Sequence, residues 1–328
     1  MTDSETSAVP IPIAVIIPYF QREAGLLSRA LRSVFDQVDV KVSTIIVVDD
    51  GSPAPARTEI ATFSESERSH ITLIEQPNAG VSAARNRGLD ALPEAIELIA
   101  FLDSDDRWVP QHLARALVIM LNGGDFYFAD HQREGVELTR FSECGLNPDP
   151  KNKLSEASDI YWFKDDLFSS ILRRSPVGTS TVVFRRKIGQ DIRFRDGLSA
   201  GEDNLFWMEL VKRGAQAGFG TMLDTEYGVG VNIFAGATWG SPKVLPMLLD
   251  TMIFHRLAGQ LFLLPPDLAN WNASWRRQVR RDFALNLLHL LRHRRQIDWR
   301  SVRRFIAEDP MVLADLGLIP CGFKNHAQ

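Results

Sequence analysis

Residues 98–106 read LIAFLDSDD: five apolar residues without a break, then three carboxylates in four positions. A short, continuous apolar run is the pattern of a strand buried on both faces. In an open parallel sheet, ligands bind beyond the carboxyl ends of the strands, which is where Asp103, Asp105 and Asp106 fall. Working outward, residues 81–92 carry a helical pattern, and ITLI (71–74), TIIVV (44–48) and IAVII (13–17) repeat the buried-strand pattern. Leu26, Leu27, Ala30, Leu31, Val34 and Phe35 mark a helical stripe within residues 22–37. On the other side, residues 110–121 read as a helix and DFYFA (125–129) as a strand. Strands alternating with helices predict βαβ units, hence an α/β fold whose central sheet is mostly parallel and flanked by helices.

Beyond residue 130 the pattern loosens. Residues 131–177 scatter Pro, Gly and charge among aromatic residues, which predicts an insertion of loops and helices suited to an acceptor. STVVF (180–184) reads as a strand, and residues 203–213 as a helix ended by Gly214. After Gly240 the chain reads as helical to about residue 307. The expected organisation is a disordered 1–10, a catalytic domain over 11–240 and a helical region over 241–328. The catalytic domain would divide into a nucleotide-binding half (11–130) and an acceptor half (131–240).

Bulk properties narrow the class. Hydrophobic residues make up 45% of 328, enough for a sizeable core, and the net charge of −4 argues against general nucleic-acid binding. Cys144 and Cys321 stand far apart without metal-ligand spacing, which fits a reducing, cytoplasmic setting. The polar, acidic start MTDSETSAVP predicts no signal peptide, and no apolar run approaches the ~18 residues of a membrane span.

Chemistry gathers at the strand ends. Asp49-Asp50-Gly51-Ser52 follows the second strand, Asp103-Ser104-Asp105-Asp106 the fourth, and Pro18-Tyr19 closes the first. Five carboxylates on one edge repel unless cations or donors offset them, and hard oxygen ligands suit Mg²⁺ or Mn²⁺. Alone, DDGS is also a common turn, and DSDD also caps a helix. An EF-hand is excluded, because Ala114 stands where its final Glu belongs. In NAGVSAARNRG (78–88), Gly80 and Ser82 open a helix whose free amides, with Arg85, would face an anion; an ordinary capped helix reads the same. Glu202-Asp203 opens a later helix, as dipole-stabilising residues or as a general base taking the proton of a hydroxyl.

Taken in order, IIPYFQR (16–22), VVDDGSP (47–53), NAGVSAARNRGLD (78–90), FLDSDDRW (101–108) and GEDNLFWMELVKRG (201–214) resemble the family 2 glycosyltransferases over residues 11–235. The resemblance implies a Rossmann-like GT-A fold, a nucleotide-diphospho-sugar donor, a divalent metal and inversion at the anomeric carbon. By that resemblance Asp49 and Asp50 hold base and ribose, Pro18 and Tyr19 line the nucleobase pocket, and Ser104 and Arg85 belong to the donor site. Asp103 and Asp105 form the DxD pair, with Asp105 the more direct metal ligand. Asp203 is the implied base, with Glu202 beside it. The family often has a small residue at the Tyr19 position and Tyr-Asn in place of Phe20-Gln21. The QxxRW motif of processive synthases is absent, which implies single addition. The stretch 226–242 and the tail resemble bacterial exopolysaccharide glucosyltransferases of the succinoglycan type. That implies a hexose such as glucose, a UDP-sugar as the first donor to consider, and a glycan acceptor, a lipid-linked one included. Two alternatives stand beside this reading: a nucleotidyltransferase, which would show a Gly-rich, basic loop after the first strand where PYFQREAG is a poor version of one, and a non-catalytic membrane-docking or nucleotide-sensing protein that kept the fold and would bind without turnover.

The tail adds one more feature. Residues 270–304 hold ten arginines against Asp282 and Asp298, with Trp275, Val279, Phe283, Leu287 and Leu291 at helical spacing. The pattern fits a packed helix with a solvated basic face, or an interfacial element drawn to the anionic inner face of the plasma membrane. Without a recognition motif, no nucleic-acid partner is expected.

Overall fold

A computed structural model describes residues 11–132, 135–154, 159–228 and 237–318. The N-terminal ten residues, part of the 226–242 stretch and Cys321 lie outside the described residues. The chain divides into two compact units, Met1–Asp196 with Phe206–Val231, and Gly197–Leu205 with Asn232–Gln328. The segment carrying Glu202-Asp203 groups with the helical unit.

The first unit is built on one sheet. Its strands are β1 (Ile13–Tyr19), β2 (Thr44–Asp49), β3 (Ile71–Glu75), β4 (Leu98–Phe101), β5 (Arg107–Trp108), β6 (Phe126–Gln132), β7 (Ile160–Trp162), β8 (Val183–Arg185) and β9 (Ala217–Glu226). The order is β3-β2-β1-β4-β8-β6-β9-β5, with β7 paired to β9. The expected parallel run holds across β3, β2, β1 and β4. Past β4 the sheet is mixed: β8 enters antiparallel between β4 and β6, and β9 runs parallel to β6.

Helices cover both faces. The chain carries α1 (Leu26–Phe35), α2 (Ala56–Ile60), α3 (Glu65–Arg68), α4 (Val81–Asp90), α5 (His112–Leu121), α6 (Arg140–Cys144), α7 (Leu167–Arg174) and α8 (Arg186–Gly189). There follow α9 (Glu202–Lys212), α10 (Val244–Leu261), α11 (Pro266–Arg292), α12 (Trp299–Glu308) and α13 (Val312–Leu318). Side chains alternate across a strand, so β1 sends Ile13, Val15, Ile17 and Tyr19 to one core. There they meet Leu27 and Leu31 of α1 and Leu113 and Ile119 of α5. On the other face Phe101, Phe126 and Phe184 pack with Phe194, Phe206 and Trp207. Gly88 sets how closely α4 lies on β1, since a Cβ there would overlap the Ile16 side chain.

The second unit is the helical tail. Phe283 of α11 stacks on Phe305 of α12 at 3.9 Å, and Arg280 pairs with Asp309 and Asp315. No helix among the described residues is long and apolar enough to cross a membrane.

Candidate active site

Parallel strands leave their C-terminal amides and carbonyls without ladder partners, and the loops after β1, β2 and β4 supply them from side chains. Gln21, 5% exposed, ties all three loops together. Its amide N–H donates to Ser52 Oγ at 2.7 Å, its carbonyl accepts from Ser52 Oγ at 2.7 Å, and its Nε2 donates to Ser104 Oγ at 3.2 Å. In the sequence Gln21 stands out only as a departure from a family pattern, yet it is the knot of this edge.

Asp49 and Asp50 are both buried and both turned to the protein's own backbone. Asp49 accepts from Ser52 N at 2.8 Å and, with its second oxygen, from Ala56 N at 2.9 Å in the first turn of α2. Asp50 accepts from Gln76 Nε2 at 2.7 Å and from the amides of Ala79 and Gly80 at 2.8 Å each. Its carbonyl takes Asn78 Nδ2 at 2.9 Å. The pair fixes the loop after β2 and the loop that leads into α4.

Pro18 and Tyr19 lie within β1 and are buried. The ring of Tyr19, expected from the resemblance to line a nucleobase pocket, is 1% exposed and faces the core. The phenol donates to Ala54 O at 2.7 Å and to Glu59 Oε1 at 3.1 Å. Burial, with the Glu59 charge second, pushes the phenol's pKa well above its ordinary value. Position 19 ends a strand whose odd residues face the α1/α5 core, so the ring follows that alternation.

α4 explains much of the 78–90 motif. Asn86 brackets Phe194, accepting from its amide and donating to its carbonyl at 2.8 Å each, while Ser82 Oγ donates to Arg195 O at 3.0 Å. Between them Arg85, 4% exposed, lies over the Phe194 ring with its guanidinium carbon 5.2 Å from the centroid. Its Nη2 donates to Asp103 Oδ1 at 2.8 Å. The sequence predicts an anion beside Arg85; the anion it meets here is the first carboxylate of the DSDD loop.

That loop alternates. Asp103 and Asp105 are partly exposed, whereas Ser104 and Asp106 are buried. Ser180, fully buried, holds the inward side: its Oγ accepts from Asp103 N at 3.0 Å and donates to Asp106 Oδ2 at 2.6 Å. The Ser180 carbonyl accepts from Trp108 Nε1 and Thr225 Oγ1. Asp106 Oδ1 accepts from Gly228 N at 2.9 Å. Burial first, then the negative charges of Asp103 and Asp105, raise the Asp106 carboxyl well above the usual carboxylate range. A Cβ at Gly228 would overlap the Asp105 carbonyl, so only glycine lets the chain after β9 lie against the loop. Sequence reasoning misses Ser180: the run STVVF makes it the first residue of a strand, but it lies in a 3₁₀ turn over Thr179–Thr181.

Asp103 and Asp105 are the two carboxylates of the loop that reach its open side. Among the described residues no group of three or more His, Cys, Asp or Glu forms a metal cage. Two hard oxygen donors fit an ion such as Mg²⁺ or Mn²⁺ that completes its shell with phosphate oxygens and water. The structure thus gathers Pro18, Tyr19, Asp49, Asp50, Arg85, Asp103, Ser104 and Asp105 in the first unit. Glu202 and Asp203 start α9 in the second. Glu202 is 5% exposed, Asp203 is half-buried, and Asp203 Oδ1 accepts from Asn204 N at 2.7 Å.

Residues 14–186 match the family model described as Glycosyl transferase family 2. The chain is 30% identical over 327 residues to the succinoglycan biosynthesis protein ExoW of Rhizobium meliloti, covering 94% of this chain and 98% of that protein. Its fold is similar to residues 1–349 of S. aureus TarS in complex with UDP-GlcNAc, at TM-score 0.56 and 15% identity, over 93% of this chain and 81% of that one. It is equally similar to the mannosyltransferase PcManGT of Pyrobaculum calidifontis in complex with GDP-Man and Mn²⁺, at TM-score 0.56 and 14% identity, with the same coverage.

Proposed function

The chain belongs to the family 2 glycosyltransferases, and from that premise we propose a specific reaction. It moves a hexosyl group, glucose the first to test, from a nucleotide-diphospho-sugar, a UDP-sugar first among donors. The acceptor is a hydroxyl of a surface polysaccharide under construction on a lipid carrier at the cytoplasmic side of the membrane. The observation that carries the donor assignment is the outward pair Asp103 and Asp105 with buried Arg85 at 2.8 Å from Asp103. Polysaccharide synthesis is supported by the relative named for succinoglycan biosynthesis, matched along nearly its whole length. The nucleotide-sugar is supported by fold neighbours solved with UDP-GlcNAc and with GDP-Man and Mn²⁺.

Asp105, with Asp103 beside it, would hold the divalent cation. When bound, Mn²⁺ or Mg²⁺ supplies positive charge at the diphosphate oxygens, where negative charge grows as the sugar departs. Arg85 aligns Asp103 for that task and lowers the repulsion between the two carboxylates. Asp49, Asp50 and Gln21 set the walls of the nucleotide pocket by fixing its loops. Asp203 is the proposed base, and its half-buried position favours it over Glu202. It takes the acceptor proton as the hydroxyl oxygen bonds to the anomeric carbon and the carbon–oxygen bond to the diphosphate breaks. One displacement inverts the anomeric centre.

The test is a panel of UDP-, GDP- and TDP-hexoses, each assayed for hydrolysis and transfer with Mn²⁺, with Mg²⁺ and with excess EDTA. Turnover of one donor, lost in EDTA, is expected. Full activity in EDTA refutes the metal assignment. Donor binding without turnover under every condition favours a non-catalytic binding protein, and formation of a nucleotide-diphospho-sugar with release of pyrophosphate from a sugar 1-phosphate and a nucleoside triphosphate favours a nucleotidyltransferase.

A further inference from the structure

The corner between α11 and α12 combines two features that seldom coincide on an ordinary solvated surface. The first is exposed apolar bulk. Trp299 is 52% exposed, Leu291 46% and Trp239 58%. Trp239 belongs to the same surface: its ring lies 6.2 Å from His289 on the last turns of α11, and His289 lies 4.4 Å from His293. The second is concentrated positive charge. Arg292, Arg294, Arg295, Arg300 and Arg303 are all exposed.

Elsewhere in this unit Arg256 pairs with Glu308, and Arg280 with Asp309 and Asp315. Among the described residues none of the five corner arginines forms an ion pair. Asp298, the acidic residue among them, caps α12 through Ser301 Oγ and the amides of Arg300 and Ser301. His289 feels the excess charge, its pKa lowered by partial burial and then by His293 and Arg295.

The local backbone puts these groups on one side. α12 buries Ser301, Val302 and Phe305, so Trp299, Arg300 and Arg303 share its outer face, with Trp299 and Arg303 one turn apart. Arg294 adopts φ 50° at the end of α11, and the amides of Arg294 and Arg295 close the helix onto Leu291 O and Leu290 O.

We propose that this corner, residues 291–303 with Trp239, docks the enzyme on an anionic lipid bilayer, the indoles entering the headgroup layer while the arginines meet lipid phosphates. The inference rests on the lipid-carried acceptor proposed above and names the surface that brings the enzyme to it. Indoles favour the level of the headgroups, and arginine forks match phosphate oxygens. Three apolar side chains are too little for a stable protein interface, which needs about 800 Å² on each side. A bilayer asks for no such area, because each anchored residue adds separately.

The experiment uses the full chain and vesicles of phosphatidylcholine alone or with about 30% phosphatidylglycerol, at about 0.15 M salt. Each basic group near an anionic surface raises partitioning about five-fold, so Arg295→Gln/Arg300→Gln/Arg303→Gln should weaken binding to the anionic vesicles by about 10²-fold. Trp299→Phe should remove a share of the quenching that brominated lipid imposes on wild-type tryptophan fluorescence. Circular dichroism and donor hydrolysis without vesicles should match the wild type in both variants. Equal binding of wild type and the triple variant overturns the proposal, as does equal wild-type binding to neutral and anionic vesicles. Retention by single-stranded RNA without vesicle binding also overturns it, and assigns the corner to a polyanion instead. Because hydrolysis is read in the same samples, a wild type that hydrolyses donor but does not bind anionic vesicles refutes this surface alone, whereas no hydrolysis in the wild type refutes the donor reading.

Discussion

Replacing Asp50 with Ala separates a framing role from a direct nucleotide contact. The Asp50 carboxylate accepts three hydrogen bonds of 2.7–2.8 Å, and the residue is 3% exposed. Two of the donors, the amides of Ala79 and Gly80, sit on exposed residues, so water reaches them once the carboxylate is gone. A bond whose donor can be rehydrated is worth about 1 kcal/mol, and three together about 3 kcal/mol. Asp50→Asn keeps one acceptor oxygen but turns an NH₂ toward a backbone N–H, and should lose about 2 kcal/mol by the same measure. With a urea slope of about 2–3 kcal/mol per molar, Asp50→Ala lowers the unfolding midpoint of the first unit by about 1 M. The assay is urea unfolding followed by circular dichroism, paired with donor binding by calorimetry. A change below about 0.5 kcal/mol in Asp50→Ala, with donor affinity lost, would show that the carboxylate serves the nucleotide and that the loop stands without it.

Three further outcomes are expected. Asp105→Ala should abolish Mn²⁺-dependent donor binding while leaving thermal unfolding within a few degrees of wild type; calorimetry with and without Mn²⁺ measures it, and unchanged Mn²⁺ dependence counts against Asp105 as ligand. Asp203→Asn should leave donor affinity nearly unchanged and cut transfer by a factor on the order of 10² to 10⁴, and near-normal transfer would move the base to Glu202. His255 is buried, and burial, then the charge of Arg276, lowers its pKa from 6.5 to about 4, although Nδ1 and Asn272 Oδ1 lie 2.8 Å apart. The unfolded chain takes up this proton below pH 6.5 and the folded one only near pH 4. The second unit should therefore keep its full contribution above about pH 6.5 and lose about 3 kcal/mol as pH falls to about 4; His255→Gln should flatten that slope in thermal scans.

How much could be read from the residues depends on which faces they bury. β1, β2 and β4 are buried on both faces, so each shows as an unbroken apolar run and each is legible. β9 is equally central but its glycines hide it. A Cβ at Gly218 would overlap Ile119, and one at Gly220 would overlap Tyr127, so close packing there requires glycine and erases the apolar signal. β8 is only three residues long, and nothing in STVVF announces that it runs antiparallel. Helices of the tail are legible because their stripes are long, whereas the boundary between the units is not. It cuts α9 at Leu205/Phe206, inside a single helical pattern.

The two aspartate motifs make the same point about chemistry. DDGS and DSDD look alike in sequence, both following a buried strand, and both read as ligand-binding carboxylates. The chain puts them to different uses because the elements after them differ. After β2 comes a turn into α2 and, across the edge, the loop into α4; both present amides that no strand satisfies, and Asp49 and Asp50 turn inward to take them. After β4 comes a short return to β5, and Ser180 and Gly228 already supply the inward donors for Asp106. The alternating backbone then leaves Asp103 and Asp105 facing out, with Arg85 on the first. The direction in which a carboxylate turns depends on which backbone groups around it need a partner, and so on the next element in space rather than on the motif itself.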